Sequence, residues 1–478
     1  VKLSALTGAR LEDDPEITGI ATDSRAVKPG NLFAALAGAR ADGASFIAEA
    51  ERRGAAAVLA APGAVTRLPL VADPEPRQRL SKLAARFFPR QPAFIAGVTG
   101  TNGKTSTAVF TAAILESAGH VSGSIGTLGA KSGVWSRALS HTTPEPVTLH
   151  QTIDAMAAAG VTHLAMEVSS HAIAQHRADG VAFRAAAFTN ITQDHLDFHR
   201  DFDDYFSAKR SLFERLLPKD ATAVVNLDGA GGSDIAAIAR ARGLRLITTG
   251  ERGDTLKLLA RSAAPQGQTL MIAAPDGVRA VALPLVGAFQ ADNALVAVGL
   301  AMAAGLETDA ALAALESLPA VPGRMQYAAS VGGGAIYIDY AHTPDAVSKA
   351  LSALRPHASG RIILVLGAGG DRDRAKRPLM GRAGAAAAEV VIVTDDNPRS
   401  EDPASIRKAI IAGAPNAIEI GDRAEAIAHG VAMLADGDVL LVAGKGHEQG
   451  QIVGDRTIPF DDLDVAQRAA ANRREIEL

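Results

Sequence analysis

Glycines 97, 100 and 103, followed at once by a lysine and a threonine, give the segment AGVTGTNGKTS (96–106) the makings of a phosphate cradle. In such a loop, Gly100, Thr101, Asn102 and Gly103 turn backbone N–H groups toward phosphate oxygens, and the N-terminus of the next helix adds positive potential. Lys104 would reach the terminal phosphates, Thr105 would offer its hydroxyl to Mg²⁺, and Ser106 would open the helix beside them. The strict pattern asks for glycine at 98, where this chain has Val98. Binding of ATP or GTP is the expectation. HLAMEVSSH (163–171) ends an apolar run at Glu167, either a second hard oxygen ligand for Mg²⁺ or a capping or solvated carboxylate. TNITQDHLDFH (189–199) spaces His195 and His199 by four residues, but Leu196 stands where a zinc-peptidase motif needs glutamate. One of these histidines is read as a Mg²⁺ ligand and the other as structural. Lys209, in YFSAKRSLF (205–213), reads on its own as a solvated surface lysine, and DNPR (396–399) as an Asx–Pro turn.

These groups need elements to hold them. The segment 92–98 is short, apolar and ends at glycine-rich sequence, as a buried parallel strand does, and apolar residues at helical spacing follow over 104–118. Further strands are expected near 163–168, 183–190, 222–227, 335–340, 361–367, 389–395 and 438–444, most leading into a polar or glycine-rich loop. Their alternation with helical stretches predicts an α/β protein built on open, mostly parallel sheets, whose ligands lie beyond the carboxyl ends of the strands. A chain of 478 residues exceeds one core and suggests about three domains. PRQPAF (89–94) and LPAVPGRMQ (318–326) are the natural breaks, giving 1–90, 91–323 and 324–478.

Composition narrows the class. A net charge of −4 and an aromatic content of 4% leave no basic or stacking surface for nucleic acid. There is no cysteine, which excludes disulfides, thiolate metal sites and cysteine nucleophiles. No signal peptide and no apolar run long enough to span a membrane is found, and a cytoplasmic, monomeric enzyme is expected. The first residue is Val1, consistent with an initiator or short leader ahead of it.

Taken together, TGTNGKT (99–105), EVSSH (167–171), TNITQDHLDFH (189–199), DYAHTPD (339–345) and GKGHE (444–448) resemble the Mur ligase family of peptidoglycan precursor synthesis, in order and over nearly the whole chain. The resemblance implies a central domain with a P-loop ATPase-like parallel sheet and a C-terminal Rossmann-like, doubly wound domain. It implies that Lys209 is carbamylated by CO₂, so that a cation-repelling ammonium becomes an anionic oxygen donor. Thr105 and Glu167 would then hold one Mg²⁺, with Glu167, His195 and the Lys209 carbamate around another. Asn293, Arg324 and Asp339 match family positions that contact ATP, and His342 falls in the same nucleotide region. Lys104, Glu167, His195 and Lys209 form the implied catalytic set.

Family members differ in the nucleotide-sugar substrate and in the amino acid they add. TDSRAVKPGNLF (22–33) resembles the uridine-binding part of the tripeptide-forming and later-acting members, with Ser24 as the uridine contact; unaided, Ser24 reads as a turn residue. By the same resemblance Thr142, Thr143, Ser169, Gln175 and Arg177 would contact the UDP-N-acetylmuramoyl dipeptide. His141 stands where some members have asparagine, so no role is carried over to it. The tetrapeptide Asp396, Asn397, Pro398, Arg399 is typical of members that add meso-diaminopimelate, whose side chain ends in a second carboxylate–ammonium centre. Arg399 would pair with the distal carboxylate through two N–H groups, with Arg372 as second cation. Glu448 and the carbonyl of Gly444 would hold the distal ammonium, while Asp396 and Asn397 shape the loop. A lysine-adding relative would leave such an arginine unpaired. The alternatives are a lysine-adding or relaxed-specificity member, folylpolyglutamate synthetase, whose first domain would differ, and a silent nucleotide-binding scaffold. Convergence of residues from all three domains also implies domain closure around the substrates.

Overall fold

The structure is a computed structural model that describes all residues except 11–12, 39–41, 195–197, 265 and 478. It divides into two compact units, one formed by Val1–Lys257 with Leu295–Ala311 and the other by Leu258–Ala294 with Leu312–Leu478.

In the first unit, a small parallel sheet runs Gly19–Ala21, Asn31–Ala34, Ala57–Ala60, Leu70–Ala72, in that order. Ser24, which unaided reads as a turn residue, opens a short 3₁₀ turn, Ser24–Ala26, capped by Asp23 and followed by the fully buried strand Asn31–Ala34. Leu32 and Leu59 on one face pack with Leu80 and Leu83 of the helix Pro76–Phe87.

The larger sheet of this unit has parallel strands in the order Arg245–Gly250, Thr222–Asn226, Ala185–Phe188, Phe94–Thr99, His163–Glu167, Ser122–Gly126. From Phe94–Thr99 the chain first builds the sheet on one side, through Ser122–Gly126 and His163–Glu167. It then crosses to Ala185–Phe188 and continues outward on the other side. Loops that leave adjacent strands in opposite directions open a crevice at their carboxyl ends, where ligands bind in open α/β sheets. The loop after Thr99 and the loop after Phe188 flank that crevice.

Strand alternation explains the departure at Val98. Phe94, Ala96 and Val98 share a face and pack with Ala108, Val296 and Leu300. Gly97 faces the other way, where an added Cβ would lie 2.8 Å from the ring of Phe183. The side chain at 98 thus fills a core, and the required glycine falls at 97.

His150, on the helix Pro146–Ala158, is fully buried, and neither ring nitrogen has a hydrogen-bond partner among the described residues. Burial pushes its pKa down to about 4. The unfolded chain therefore takes up a proton near pH 6.5 that the folded chain refuses until about 4, and stability falls as pH drops through that window. Replacement by leucine is expected to flatten this loss, by up to about 3 kcal/mol, in urea unfolding at pH 7 against pH 4.5.

The second unit centres on a sheet ordered Gln326–Val331, Gly334–Asp339, Val439–Ala443, Ile362–Leu366, Val390–Val393, Ile418–Glu419, parallel except for the first pair. Helices cover both faces. Ile362, Leu364 and Leu366 face Leu351, Met380 and Ile410, while Ile363 and Val365 face Ile427, Val431 and Ala466. This is a doubly wound domain, as expected. Val439–Ala443, the last of these strands in the chain, lies between Gly334–Asp339 and Ile362–Leu366. Four loops therefore leave the same end of the sheet, after Asp339, Leu366, Val393 and Ala443, and they carry DYAHTPD, GGDRDR, DNPR and GKGHE. A small hairpin, Gly450–Val453 with Arg456–Pro459, follows the last of them. Among the described residues no helix is long and apolar enough to cross a membrane.

Candidate active site

The phosphate loop is held open by its neighbour. Strand register sets Ala185–Phe188 against Ala96–Thr99, and the chain beyond Phe188 then clamps the loop. Thr101 N–H donates to Asn190 O at 2.8 Å, Asn102 N–H to Asn190 Oδ1 at 3.1 Å, and Thr189 Oγ1 to Asn102 O at 2.6 Å. Gly100, with φ of 151°, leaves no room for a side chain, because an added Cβ would sit 1.9 Å from Thr189 Oγ1. Gly103 takes the left-handed conformation that starts the helix Lys104–Ser117.

Lys104 folds back over the loop and donates to Gly100 O at 2.9 Å and Thr101 O at 2.8 Å. Lys209 arrives at the same carbonyl from the helix Phe202–Ser211, with Nζ 2.8 Å from Gly100 O. It is buried and lies 4.4 Å from the centre of the Tyr205 ring, so the reading of a solvated surface lysine is corrected here. Tyr205 OH is 2.9 Å from Thr101 Oγ1. Burial pushes the Lys209 ammonium well below the ordinary lysine value, and the charge of Lys104 acts in the same direction against Asp194. A shift in this direction favours the neutral amine, the form that can act as a nucleophile.

Glu167 ends its strand opposite Val98 and is 1% exposed, which corrects the alternative of a solvated carboxylate. Its Oε1 accepts the Thr127 N–H at 2.8 Å, and an added Cβ on Gly126 would fall 2.1 Å from that oxygen. Thr127 Oγ1 also lies 3.0 Å from Thr142 Oγ1. Thr105 and Ser106 are buried at the start of their helix. The hydroxyl of Thr105 and the carboxylate of Glu167 are hard oxygen donors of the kind Mg²⁺ takes, whereas an ammonium at Lys209 is no ligand. His195 lies outside the described residues. His199 is buried, with Nδ1 3.3 Å from Asp204 Oδ2 and the ring beside His171.

Four of the five residues proposed to contact the dipeptide form one hydrogen-bonded group. Thr143 Oγ1 donates to Glu167 O and accepts from Ser169 N–H, and Arg177 donates to Thr143 O at 2.8 Å and to Gln175 Oε1. The same guanidinium pairs with Glu145 at 2.9 Å. Thr142 joins through Thr127. Ser24 stands apart: its hydroxyl donates to Glu49 Oε2 at 2.8 Å and is buried. Around its turn lies a cavity of about 480 Å³ lined by Thr22, Asp23, Lys28, Phe88 and Gln151.

In the second unit, Asp339 accepts the Met325 and Ala341 N–H groups at 2.7 and 2.9 Å. Burial raises its carboxyl above the usual range, against the pull of Arg324. The Arg324 guanidinium stacks 4.8 Å from the Tyr340 ring centre, and Gln290 holds the Arg324 carbonyl. Asn293 is buried on the helix Ala288–Ala303. His342 is exposed, its Nδ1 2.8 Å from Tyr340 O.

The loops after Leu366 and Val393 interlock. Arg399 Nη1 donates to Gly370 O at 2.8 Å, and Arg372 flanks Gly369 beside it. Gly370 N–H donates to Asn397 O, and the Pro398 carbonyl fills the space where a Cβ on Gly370 would be. Asp396 is buried against Gly444, and Asn397 Nδ2 donates to Glu448 Oε2 at 2.7 Å. Sequence reasoning missed Tyr205, Thr127 and the Thr189–Asn190 clamp, whose roles arise from residues distant in the chain. It also gave no role to Lys445, which lies within GKGHE (444–448).

Family sequence models match three successive segments: "Mur ligase family, catalytic domain" over 16–88, "Mur ligase middle domain" over 98–301, and "Mur ligase, glutamate ligase domain" over 323–446. The UDP-N-acetylmuramoyl-L-alanyl-D-glutamate–2,6-diaminopimelate ligase of Caulobacter vibrioides is 50% identical over 474 residues, 97% of each chain. The enzyme of that name from Mesorhizobium japonicum is 48% identical over 464 residues, 96% of each chain. A solved structure of a UDP-N-acetylmuramoyl-L-alanyl-D-glutamate–2,6-diaminopimelate ligase superposes with a TM-score of 0.76 at 30% identity, covering 99% of both chains. With its phosphate loop, its interlocked loops and these relatives all in agreement, the chain belongs to the Mur ligase family.

Proposed function

We propose that this protein joins meso-diaminopimelate to the D-glutamate carboxylate of UDP-N-acetylmuramoyl-L-alanyl-D-glutamate, with conversion of ATP to ADP and phosphate, in the cytoplasm and as a monomer. The observation that carries the reading is half-identity, over 97% of both chains, to a relative bearing that name. The DNPR loop, with Arg399 and Arg372 around Gly369, supports the choice of amino acid. Domain boundaries at 90 and 323 belong to the same reading, supported by the succession of family matches.

The dipeptide carboxylate attacks the γ-phosphorus of ATP, the bond to the β-phosphate oxygen breaks, and an acyl phosphate and ADP result. The amine of diaminopimelate then adds to the acyl carbon, and inorganic phosphate leaves. Lys104 follows the charge on the transferring phosphoryl group, and Gly100 to Ser106 hold the phosphates, so catalysis rests on positioning and electrostatics. Thr105 and Glu167, with His195 and a carbamate on Lys209, would hold Mg²⁺, which when bound neutralises phosphate charge. The carbamate forms when the desolvated Lys209 amine adds to CO₂ and releases one proton. Asn293, Arg324 and Asp339 serve the nucleotide, and Ser24 the uridine end of the acceptor. Thr142, Thr143, Ser169, Gln175 and Arg177 serve its muramoyl-dipeptide end. Arg399 and Arg372 take the distal carboxylate of the incoming amino acid, and Glu448 with Gly444 takes its distal ammonium.

Phosphate release with the muramoyl dipeptide and each amino acid in turn tests this. Release is expected with meso-diaminopimelate and at least about a hundredfold less, in kcat/KM, with lysine, as befits a desolvated charge left unpaired. Preference for lysine would establish the lysine-adding alternative, and no release with any amino acid would establish a scaffold.

A further inference from the structure

Lys445 is fully buried between two glycines, and the reaction as described gives it nothing to do. Its ammonium donates to Asn397 Oδ1 at 3.1 Å, Glu448 Oε2 at 3.3 Å and Gly450 O at 2.6 Å, which uses all three of its hydrogens. An ammonium can only donate. The atom of the Asn397 amide that faces it must therefore be the oxygen, and the same oxygen accepts the Ile452 N–H at 2.9 Å. With its oxygen fixed, Asn397 has to present Nδ2 to Glu448, and both donors converge on Oε2 of that carboxylate. Oε1 takes neither of them.

The third contact of Lys445 reaches the hairpin that starts at Gly450. That hairpin grips Arg399 from both sides: Arg399 N–H donates to Ile452 O at 3.0 Å, and Gly454 N–H donates to Arg399 O at 2.7 Å. The grip is needed, because Arg399 has φ of 52°, a region that residues with a Cβ avoid. One buried ammonium thus ties together the carboxylate Glu448, the amide Asn397 and the strand that sets the backbone of Arg399.

We propose that Lys445 is a positioning residue that fixes the separation of the Arg399 guanidinium and the Glu448 carboxylate, and thereby selects an amino acid whose side chain ends in a carboxylate–ammonium centre. Having no exposed surface, it acts through these neighbours and not on the substrate. The proposal rests on the reading of Arg399 and Glu448 given above. Electrostatics sets the opposing outcome: if the positive charge of Lys445 only weakens the hold of Glu448 on a substrate ammonium, removing it tightens binding.

The test uses the full chain with Lys445→Met, which keeps the aliphatic bulk and removes the donors, and Ile452→Pro, which removes the N–H on Asn397 and leaves Lys445 in place. Lys445→Met is expected to raise KM for meso-diaminopimelate tenfold or more and to narrow the kcat/KM preference over lysine at least tenfold. KM for ATP and for the dipeptide should stay within twofold. Ile452→Pro is expected to move the same quantities in the same direction, and it decides the matter if Lys445→Met does not fold. An unchanged or lowered KM for diaminopimelate would overturn the proposal, as would a joint rise in all three KM values with the preference retained. Arg399→Ala is measured alongside. If it weakens diaminopimelate use while Lys445→Met does not, this proposal alone falls. If Arg399→Ala has no effect, the underlying reading of the loop falls and takes the proposal with it.

Discussion

Alanine at Lys209 is expected to lower kcat roughly 10²–10³-fold, the size of effect seen when one preorganised group facing a developing charge is removed. Three features of the site combine in this expectation. Lys209 is buried, its amine is pushed toward the neutral form by burial and by Lys104, and it lies on the carbonyl of Gly100 in the phosphate loop. A neutral amine adds CO₂, and the product places anionic oxygens where the unmodified side chain would place a positive charge. Loss of the side chain leaves a gap next to the Tyr205 ring, into which a short carboxylic acid such as acetate or propionate fits. Partial recovery of phosphate release with added short carboxylates is therefore expected, together with a ¹³C resonance from labelled CO₂ in the parent protein and none in the variant. Full activity of the variant without rescue would refute the modification.

The second large effect concerns the incoming amino acid. Arg399→Ala is expected to reduce kcat/KM for meso-diaminopimelate by about 2–4 kcal/mol in transition-state terms, the cost of truncating one member of a desolvated charge pair. The loss should fall on that substrate, with ATP and dipeptide KM values near those of the parent. An equal loss of ATP affinity with unchanged diaminopimelate use would remove Arg399 from the role given to it.

Much of this was legible in the sequence, for physical reasons that can be named. Short apolar runs ending in glycine or polar loops marked the strands to within a residue or two, as with Phe94–Thr99 for 92–98 and Val439–Ala443 for 438–444. Runs of that kind are buried on both faces of parallel sheets and carry little ambiguity. The phosphate loop was legible because only glycine tolerates its close approaches, at Gly100 above all. Lys209 was not legible from its surroundings. Its neighbours Ser207 and Arg210 are those of a surface helix, and its burial depends on a carbonyl 109 residues away. Lys445 posed the opposite difficulty: flanking glycines suggested a loop, while its partners Asn397 and Gly450 lie on either side of it in the chain. Residue type announces chemistry that is local. It is silent where long-range topology supplies the environment.

The left-handed backbone at Arg399 has a consequence for how this chain can change under selection. A residue with a Cβ in that region costs the fold about 1 kcal/mol or more, and glycine would relieve it. Selection for stability alone would drift position 399 toward glycine or asparagine, and would discard the guanidinium in doing so. On the role proposed for Arg399, retaining arginine there would be a trade-off between thermostability and fidelity in the choice of building block. Screens that reward heat resistance alone should therefore recover relaxed amino-acid choice as a by-product, and position 399 is where they would find it.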